Sequence, residues 1–138
     1  ANLGADFGTV GNEALTVAQA TALVALNANA TFQIVDTPAN LAAAPVGTLN
    51  RASQISSTGA LTVAQVVAIN VSTTDIASGY ALTDTSANLS SAGNAAIVAA
   101  AGNVTVIDSI SVATALAVEA LLNTGTTSYV LADTITNL

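Results

Sequence analysis

The sequence contains no cysteine, histidine, methionine, tryptophan or lysine, and Arg51 is its only basic residue. The chain therefore has no disulfide framework, and it has no thiol, imidazole or amine with which to do chemistry. Charged residues make up only 7% of its 138 residues, and the formal net charge is -7. Binding to phosphates or to anionic lipid requires Lys and Arg, so neither nucleic acid nor an anionic membrane surface is an expected partner.

Long apolar runs are also missing. The most apolar stretch, residues 95–101, is broken by Gly102 and Asn103, far short of the roughly 20 residues that span a bilayer.

The opening Ala1-Asn2-Leu3 has neither the basic start nor the apolar segment of a signal peptide. We expect that a signal was removed, that the chain belongs to something longer, or that a C-terminal signal directs export. The acidic composition without cysteine or lysine predicts an extracellular, cell-surface location.

What the chain does have is an internal repeat in two alternating sequence families. The first family comprises Phe32–Leu41, Tyr80–Leu89 and Tyr129–Leu138, and the second comprises Ala14–Gln19, Ala60–Gln65 and Ser109–Thr114. Asp84, Asp108 and Asp133 follow one another at 24 and 25 residues, and Asp36 precedes Asp84 by 48. The spacing predicts one repeat domain, residues 1–138, of about five to six coils of about 24 residues. Residues 45–59 are predicted as a loop or an irregular coil.

Each coil is predicted to contain a strand, a cap, a helix and a turn. Runs such as residues 104–107 alternate with the period of a strand, and the Asp-Thr or Asp-Ser that follows such a run signals a helix start. In the helix after Ser111, the predicted buried stripe is Val112, Leu116, Ala117, Ala120 and Leu121. The predicted fold class is an α/β repeat solenoid, with a parallel sheet on one side and short Ala-rich helices on the other. The alternative is a doubly wound α/β domain.

The two families together resemble the Ala/Thr/Val/Asn/Asp-rich repeats of large secreted bacterial surface proteins. These include type I-secreted adhesins, hemolysin-like proteins and S-layer-type proteins. The resemblance rests on the Leu-Thr-Val-Ala-Gln segments and on the Tyr-x-Leu-x-Asp-Thr-x-x-Asn-Leu segments. It implies an extracellular structural or adhesive role, often with calcium, although the glycine-rich calcium-binding nonapeptide of such proteins is missing here.

The recurring aspartates are the candidate site. Asp36, Asp84, Asp108 and Asp133 occupy one position of the repeat, and in a stacked fold they would form a row along one edge. One interpretation is a row of calcium sites, because hard cations favour carboxylate oxygens. The other, which we favour, is that each aspartate caps its own helix. No catalytic residue stands out, so we predict that the protein is not an enzyme and carries no cofactor beyond possible calcium.

Two further sets of residues recur. Asn40, Asn88 and Asn137 are predicted to form an asparagine ladder that satisfies turn backbone, and the aromatic residues Phe32, Tyr80 and Tyr129 are predicted to pack in the core or on the sheet.

The leading functional prediction is a structural surface module that associates head to tail with itself. It would be part of an S-layer, a filament or an adhesin spacer. Both ends lie in the same phase of the repeat, which favours stacking of copies. The alternative is a solenoid that binds calcium, a glycan or another extended ligand.

Overall fold

The structure is a computed structural model that describes residues 14–134. These residues divide into two compact units. Unit 1 contains the residues up to 59 together with 65–77, and unit 2 contains residues 60–64 together with those from 78 onward. The prediction that residues 1–138 form a single domain stays a prediction.

Unit 1 is a small parallel sheet with short helices. Its strands are β1 (Ala14–Leu15), β2 (Phe32–Asp36) and β3 (Ala52–Ser57), and its helices are α1 (Val17–Leu26), α2 (Pro38–Ala42) and α3 (Val46–Leu49). The helix α4 (Val63–Ile69) has its first two residues in unit 2 and the others in unit 1. The strands pair in the order β1-β2-β3, all parallel, and an isolated parallel bridge joins Ile55 to Ile76.

Unit 2 repeats this plan. Its strands are β4 (Leu82–Asp84), β5 (Val104–Ile110) and β6 (Thr127–Leu131), and its helices are α5 (Ser86–Leu89), α6 (Ala95–Ala100) and α7 (Val112–Glu119). The order β4-β5-β6 is again parallel, and an isolated bridge pairs Leu61 with Leu82. The mixed α/β class and the parallel pairing are therefore confirmed, and the solenoid stays a prediction.

The hydrogen-bonded register gives a shorter repeat than the sequence spacing. Ala14 pairs with Gln33, Ile34 with Ile55, and Val104 with Thr127, so the paired residues are 19 to 23 positions apart. The predicted step of about 24 is too long because it was measured between aspartates that are not equivalent in register. The register pairs Asp84, the last residue of β4, with Val106 in the middle of β5. Asp108 lies two residues further along β5, so the spacing between the two aspartates exceeds the spacing between paired residues by two.

Alternating side chains of the strands supply much of the core. In β2, Phe32, Ile34 and Asp36 are buried while the residues between them are half-buried, as the two-residue period of a strand requires. In unit 1 the largest fully buried side chains are Ile34, Leu41, Leu49, Ile55, Val66 and Ile69. In unit 2 they are Leu61, Leu82, Leu89, Val98, Val104 and Val118.

Two local predictions are wrong. The buried residues of α7 are Ala115 and Val118, whereas Leu116 is 71% exposed and Ala117 is exposed. Because α7 begins at Val112 and has only eight residues, one narrow face reaches the core, and its Ala-rich composition carries little amphipathic signal. Residues 45–59 are not the loop that was one of the two predictions for them, because they form α3 and the six-residue strand β3. The other prediction, an irregular coil of the repeat, stays open.

Within residues 14–134, none of the helices has the length and apolar character that crossing a membrane demands.

Candidate functional site: the aspartate clamps

Asp36 joins two successive strand–helix segments of unit 1. Its Oδ2 accepts a 2.9 Å hydrogen bond from the amide of Val17, the first residue of α1 and 19 residues earlier in the chain. Its Oδ1 accepts hydrogen bonds from the Thr37 amide (2.7 Å) and from Nδ2 of Asn40 (2.8 Å). One carboxylate thus connects the start of α1 to the start of α2. We call this arrangement, an aspartate that accepts the first amide of the preceding helix, an aspartate clamp.

Asp84 forms the same clamp in unit 2. Its Oδ2 accepts from the amide of Val63, the first residue of α4, at 3.0 Å across 21 residues. Its Oδ1 accepts from the Thr85 amide (2.8 Å) and from Nδ2 of Asn88 (2.7 Å). The side chain is 7% exposed, so these bonds are shielded from water.

Asp133 forms a clamp with the helix directly before it, and Asp108 reaches back past α6 to the first residue of α5. Oδ2 of Asp133 accepts from the Val112 amide, the first of α7, at 2.9 Å, and its Oδ1 accepts from the Thr134 amide at 2.7 Å. Asp108 receives both donors of Ser86, the first residue of α5, with the amide 2.6 Å from Oδ1 and the hydroxyl 2.7 Å from Oδ2.

The clamps correct one sequence-based prediction, that each recurring aspartate caps its own helix. After Asp36 and Asp84 the cap is the next residue, since Thr37 and Thr85 accept from the amides of Asn40 and Asn88, and after Asp108 the cap is Ser111. The aspartate serves the helix before it, whose first amides have no partner within that helix. Asp36 and Asp84 have no acidic strand neighbour, because the register pairs them with Ser57 and Val106. The row of aspartates along one edge stays a prediction.

Pro38 explains why one repeat lacks its aspartate. Pro38 begins α2 as Ser86 begins α5, and a proline tolerates that position because its missing N–H would have no helical partner. Pro38 has neither a backbone N–H nor a hydroxyl, so it cannot donate a hydrogen bond to an aspartate. The register pairs Asp36 with Ser57, so the position that corresponds to Pro38 in the next segment is Gly59, where an added Cβ would lie 3.6 Å from the proline ring. The register pairs Asp84 with Val106, so the position that corresponds to Ser86 is Asp108. The helix that begins with a hydrogen-bond donor, Ser86, is thus followed one repeat later by an aspartate, and the helix that begins with proline is not.

This match predicts a non-additive pair of substitutions. We expect Asp108→Ala to lower the urea midpoint of unfolding in the wild-type chain but to have little further effect in a Ser86→Pro background. In that background the two donors of Ser86 are already gone. Equal effects of Asp108→Ala in both backgrounds would show that Asp108 stabilises the fold through some other contact.

At Asp36 and Asp108 the hydrogen bonds favour the ionised carboxylate. Burial of Asp36 raises its pKa, but the hydrogen bonds from Asn40, Val17 and Thr37 together outweigh burial and bring the pKa below the ordinary 3.8. For Asp108, hydrogen bonds from the hydroxyl and then the amide of Ser86 lower the pKa against a smaller opposing effect of burial. Both carboxylates therefore remain charged in mildly acidic solution.

Stability should consequently fall in acid. Because the folded pKa of Asp36 is depressed, its contribution is complete above pH 3.8 and is lost as the pH falls through the lower folded pKa. We expect the melting temperature of the wild type to drop between about pH 4 and pH 2, and the Asp36→Asn variant to show a shallower drop. Asp75→Asn, at an exposed position outside the helices and strands, is the control and should keep the wild-type slope. Identical slopes for wild type and Asp36→Asn would contradict the clamp.

A second kind of contact between successive segments uses asparagines that the repeat did not single out. Oδ1 of Asn50 accepts from the amide (2.8 Å) and the hydroxyl (3.3 Å) of Thr73, and Oδ1 of Asn103 accepts from both groups of Thr126 at 3.1 Å. Both pairs span 23 residues. The strand register brings these partners together. The sequence signal for them is the Asn-to-Thr separation that both pairs share.

The recurring asparagines have a different role from the one predicted. Nδ2 of Asn40 and Nδ2 of Asn88 each donate to a clamp carboxylate, Asp36 and Asp84 respectively, and Asn137 lies outside the described residues. Among the aromatic residues, Phe32 and Tyr80 are buried as predicted, and the Tyr80 hydroxyl donates to the Ile97 carbonyl at 2.6 Å. Tyr129 is half-buried, and its hydrogen bond to Glu119 raises the pKa of its hydroxyl.

The recurring aspartates make separate hydrogen-bonded contacts and do not gather at one site. In the part of the chain that the structure describes, no group of three or more acidic side chains comes together that could hold a metal ion. Asp6 and Glu13 lie outside that part. Calcium binding at the four recurring aspartates stays an untested prediction.

Comparison with known proteins gives no family. No family model matches the chain, and neither a curated protein nor a solved structure does. The resemblance to repeats of secreted bacterial surface proteins therefore stays a prediction.

Proposed function

We propose that the protein is a non-enzymatic structural module of an extracellular surface assembly, an S-layer, a filament or an adhesin spacer. The observation that carries the proposal is the engagement of its carboxylates. Four of the six acidic residues in the described part, Asp36, Asp84, Asp108 and Asp133, bind the first amide of a preceding helix. The side chains best able to do chemistry instead hold successive segments together.

The solenoid is proposed as the architecture of each unit. Strands that follow one another in the chain are neighbours in the sheet, in the orders β1-β2-β3 and β4-β5-β6. A doubly wound domain reverses its strand order at a switch point, and neither order contains such a reversal. The repeated clamps support the same conclusion, because each one links a helix to the segment that comes directly after it.

Self-association head to tail is proposed to use β6. Among residues 14–134, β6 pairs with β5 and with no second strand. The amide of Ala132 donates to the Ile110 carbonyl, so by the alternation of strand hydrogen bonding the amide of Leu131 points away from β5. Such an edge is a template for a strand of another copy.

The test is sedimentation velocity over a concentration series, with and without calcium. We expect the wild type to form progressively larger species and Leu131→Pro, which removes the outward amide, to stop this growth. Leu131→Thr is the matched control, because it keeps the amide while removing the apolar side chain. A wild-type chain that stays monomeric at every concentration, in both conditions, would refute self-association.

A binding module is the second candidate, favoured by a column of hydroxyls in unit 2. Thr83 pairs with Thr105, which pairs with Ser128, and the last two side chains are exposed. Adjacent strands place such groups about 4.8 Å apart, a repeat that suits an extended hydroxylated ligand such as a glycan. Glycan arrays, together with calorimetry against calcium, test this candidate, and binding in neither experiment would eliminate it.

A further inference from the structure

Four segments of the chain match Asn-x-Ser/Thr, the acceptor motif for N-linked glycans. They begin at Asn29, Asn70, Asn88 and Asn103, and all four asparagines are exposed. Glycan transfer uses the carboxamide of the asparagine, and the transferase also recognises the hydroxyl two residues later. The hydrogen bonds of these two groups therefore separate a segment that a transferase can reach from one that the fold already uses.

The segment that begins at Asn88 is used by the fold. Nδ2 of Asn88 donates to Oδ1 of Asp84 at 2.7 Å. The hydroxyl of Ser90 donates to the Ser86 carbonyl, also at 2.7 Å. Asp84 is 7% exposed, so a sugar on Nδ2 of Asn88 would have to fit against a buried carboxylate. Modification here would compete directly with the clamp.

The segment that begins at Asn70 is also engaged. Oδ1 of Asn70 accepts a 3.1 Å hydrogen bond from the Ile76 amide. The hydroxyl of Ser72 donates to the Thr74 carbonyl at 2.6 Å, and Ser72 is only 8% exposed. Both recognition groups of this segment are therefore occupied.

In the segment that begins at Asn103, the carboxamide is held by the following strand–helix segment. Its Oδ1 accepts from the amide and the hydroxyl of Thr126, both at 3.1 Å. A Cβ atom added at Gly125 would lie 2.5 Å from the same oxygen, so the backbone there packs closely against Asn103. Turning this carboxamide toward a transferase would break the contact between the two segments.

Asn29 lies in the turn between α1 and β2, and its environment is different. The turn backbone is fixed, because the amide of Ala30 donates to the Asn27 carbonyl and the amide of Asn29 donates to Oδ1 of Asn27, both at 3.0 Å. Ala30 is 1% exposed and anchors the turn, whereas Asn29 and Thr31 on either side of it are exposed. Within residues 14–134, the Asn29 carboxamide and the Thr31 hydroxyl have no hydrogen-bond partner.

We propose that Asn29 is the acceptor of an N-linked glycan. The donor is a sugar whose anomeric carbon is bonded to a diphosphate carrier. Nδ2 of Asn29 forms a bond to that carbon, and the bond between the carbon and the diphosphate oxygen breaks. The diphosphate leaves with the bonding electrons, and the amide proton passes to a base of the transferase.

This inference rests on the proposed function, because N-linked glycans belong to the surface loops of secreted proteins. It deepens that function by placing a covalently attached carbohydrate on the α1–β2 turn of the module. The other three asparagines keep their structural contacts.

The first experiment measures which asparagine of the folded chain accepts a sugar. The purified chain is incubated with a soluble N-glycosyltransferase and UDP-glucose, and peptide mass spectrometry follows the occupancy of all four asparagines. Four short peptides, each containing one of the segments, are the matched controls for the sequence preference of the transferase. We expect the rate in the folded chain, divided by the rate in the peptide, to be at least about tenfold higher at Asn29, because the other segments must first break hydrogen bonds. Equal ratios at the four asparagines would overturn the assignment.

Substitutions at Thr31 test whether the motif itself is read. Thr31→Val keeps the shape of the side chain but removes the hydroxyl, and it should abolish modification of Asn29. Thr31→Ser keeps the hydroxyl and should retain modification. Both variants should melt at the wild-type temperature, since this hydroxyl has no partner among the described residues. Modification of Asn29 at the wild-type rate in Thr31→Val would contradict recognition of the motif.

The second experiment examines the protein as its own cell makes it. Glycopeptide mass spectrometry of the chain taken from the cell surface should find a glycan at Asn29. A surface chain that is unmodified at Asn29, or modified only at another asparagine, would overturn this inference and leave the proposed function standing. A chain retained inside the cell would overturn the proposed function, and the assignment of Asn29 with it.

Discussion

Replacing Asp84 by alanine is expected to lower the free energy of unfolding by about 3 kcal/mol. The substitution removes the acceptor for three donors at once: the amides of Val63 and Thr85, and Nδ2 of Asn88. Hydrogen bonds to charged groups contribute about 1.5–3 kcal/mol each, and part of that is regained when water reaches the released donors. Urea denaturation followed by circular dichroism measures the change.

Two control substitutions show which interaction accounts for the loss of stability in Asp84→Ala. Asp75→Ala removes an exposed acidic residue outside the helices and strands and should change stability by less than about 0.5 kcal/mol. Asn88→Ala should cost about 1 kcal/mol in the wild type and almost nothing after Asp84→Ala, because its partner is then absent. If Asp75→Ala and Asp84→Ala have similar effects, the general loss of negative charge, rather than the clamp, sets the stability.

Replacing Gly102 by alanine is expected to cost about 3 kcal/mol, the upper part of the usual range for overpacking. A Cβ atom there would lie 2.7 Å from the carbonyl oxygen of Gly79 and 3.3 Å from its carbon. Both atoms belong to the backbone of the preceding segment, which the Gly102 amide contacts through a 2.8 Å hydrogen bond to the Tyr80 carbonyl. The backbones therefore cannot separate without breaking the pairing of the two segments.

Gly47→Ala is the matched control. A Cβ at Gly47 meets nothing within 4 Å, and the residue lies in the helix α3. Alanine favours a helix over glycine by about 1 kcal/mol, so this variant should be slightly more stable than the wild type. Thermal melts of both variants make the comparison, and a Gly102→Ala chain as stable as Gly47→Ala would contradict the close approach of successive segments.

The sequence predicts the elements better than it predicts their contacts. The alternation at residues 104–107 and the Asp-Thr pairs predict a strand and a helix start, and β5, α2 and α5 bear this out. The partner of each aspartate could not be predicted, because it lies about 20 residues away and is fixed only by the strand register.

One signal for these contacts was nevertheless present. The second sequence family supplies Val17, Val63 and Val112, and the first family supplies an aspartate 19 or 21 residues after each of them. The two families alternate because each clamp needs one member of both. Asp108 escapes this rule, since its donor is Ser86 of the first family, and only the structure reveals that pair.

The helix faces were the least predictable feature. Helical spacing predicts that Leu116 lies in the core, because a leucine at that spacing usually packs inward. The short helix α7 instead buries Ala115 and Val118. In an ordinary amphipathic helix, charged residues on the outer face would have corrected that choice. Here the exposed positions of α7 are largely apolar too, so the residue pattern gives no such guide.

Electron microscopy of the concentrated, purified chain is the most direct test of the central claim that this protein is a self-assembling structural module. We expect ordered filaments or a two-dimensional lattice in the wild type and neither in the Leu131→Pro variant. A field of separate, compact particles at every concentration, with and without calcium, would contradict it.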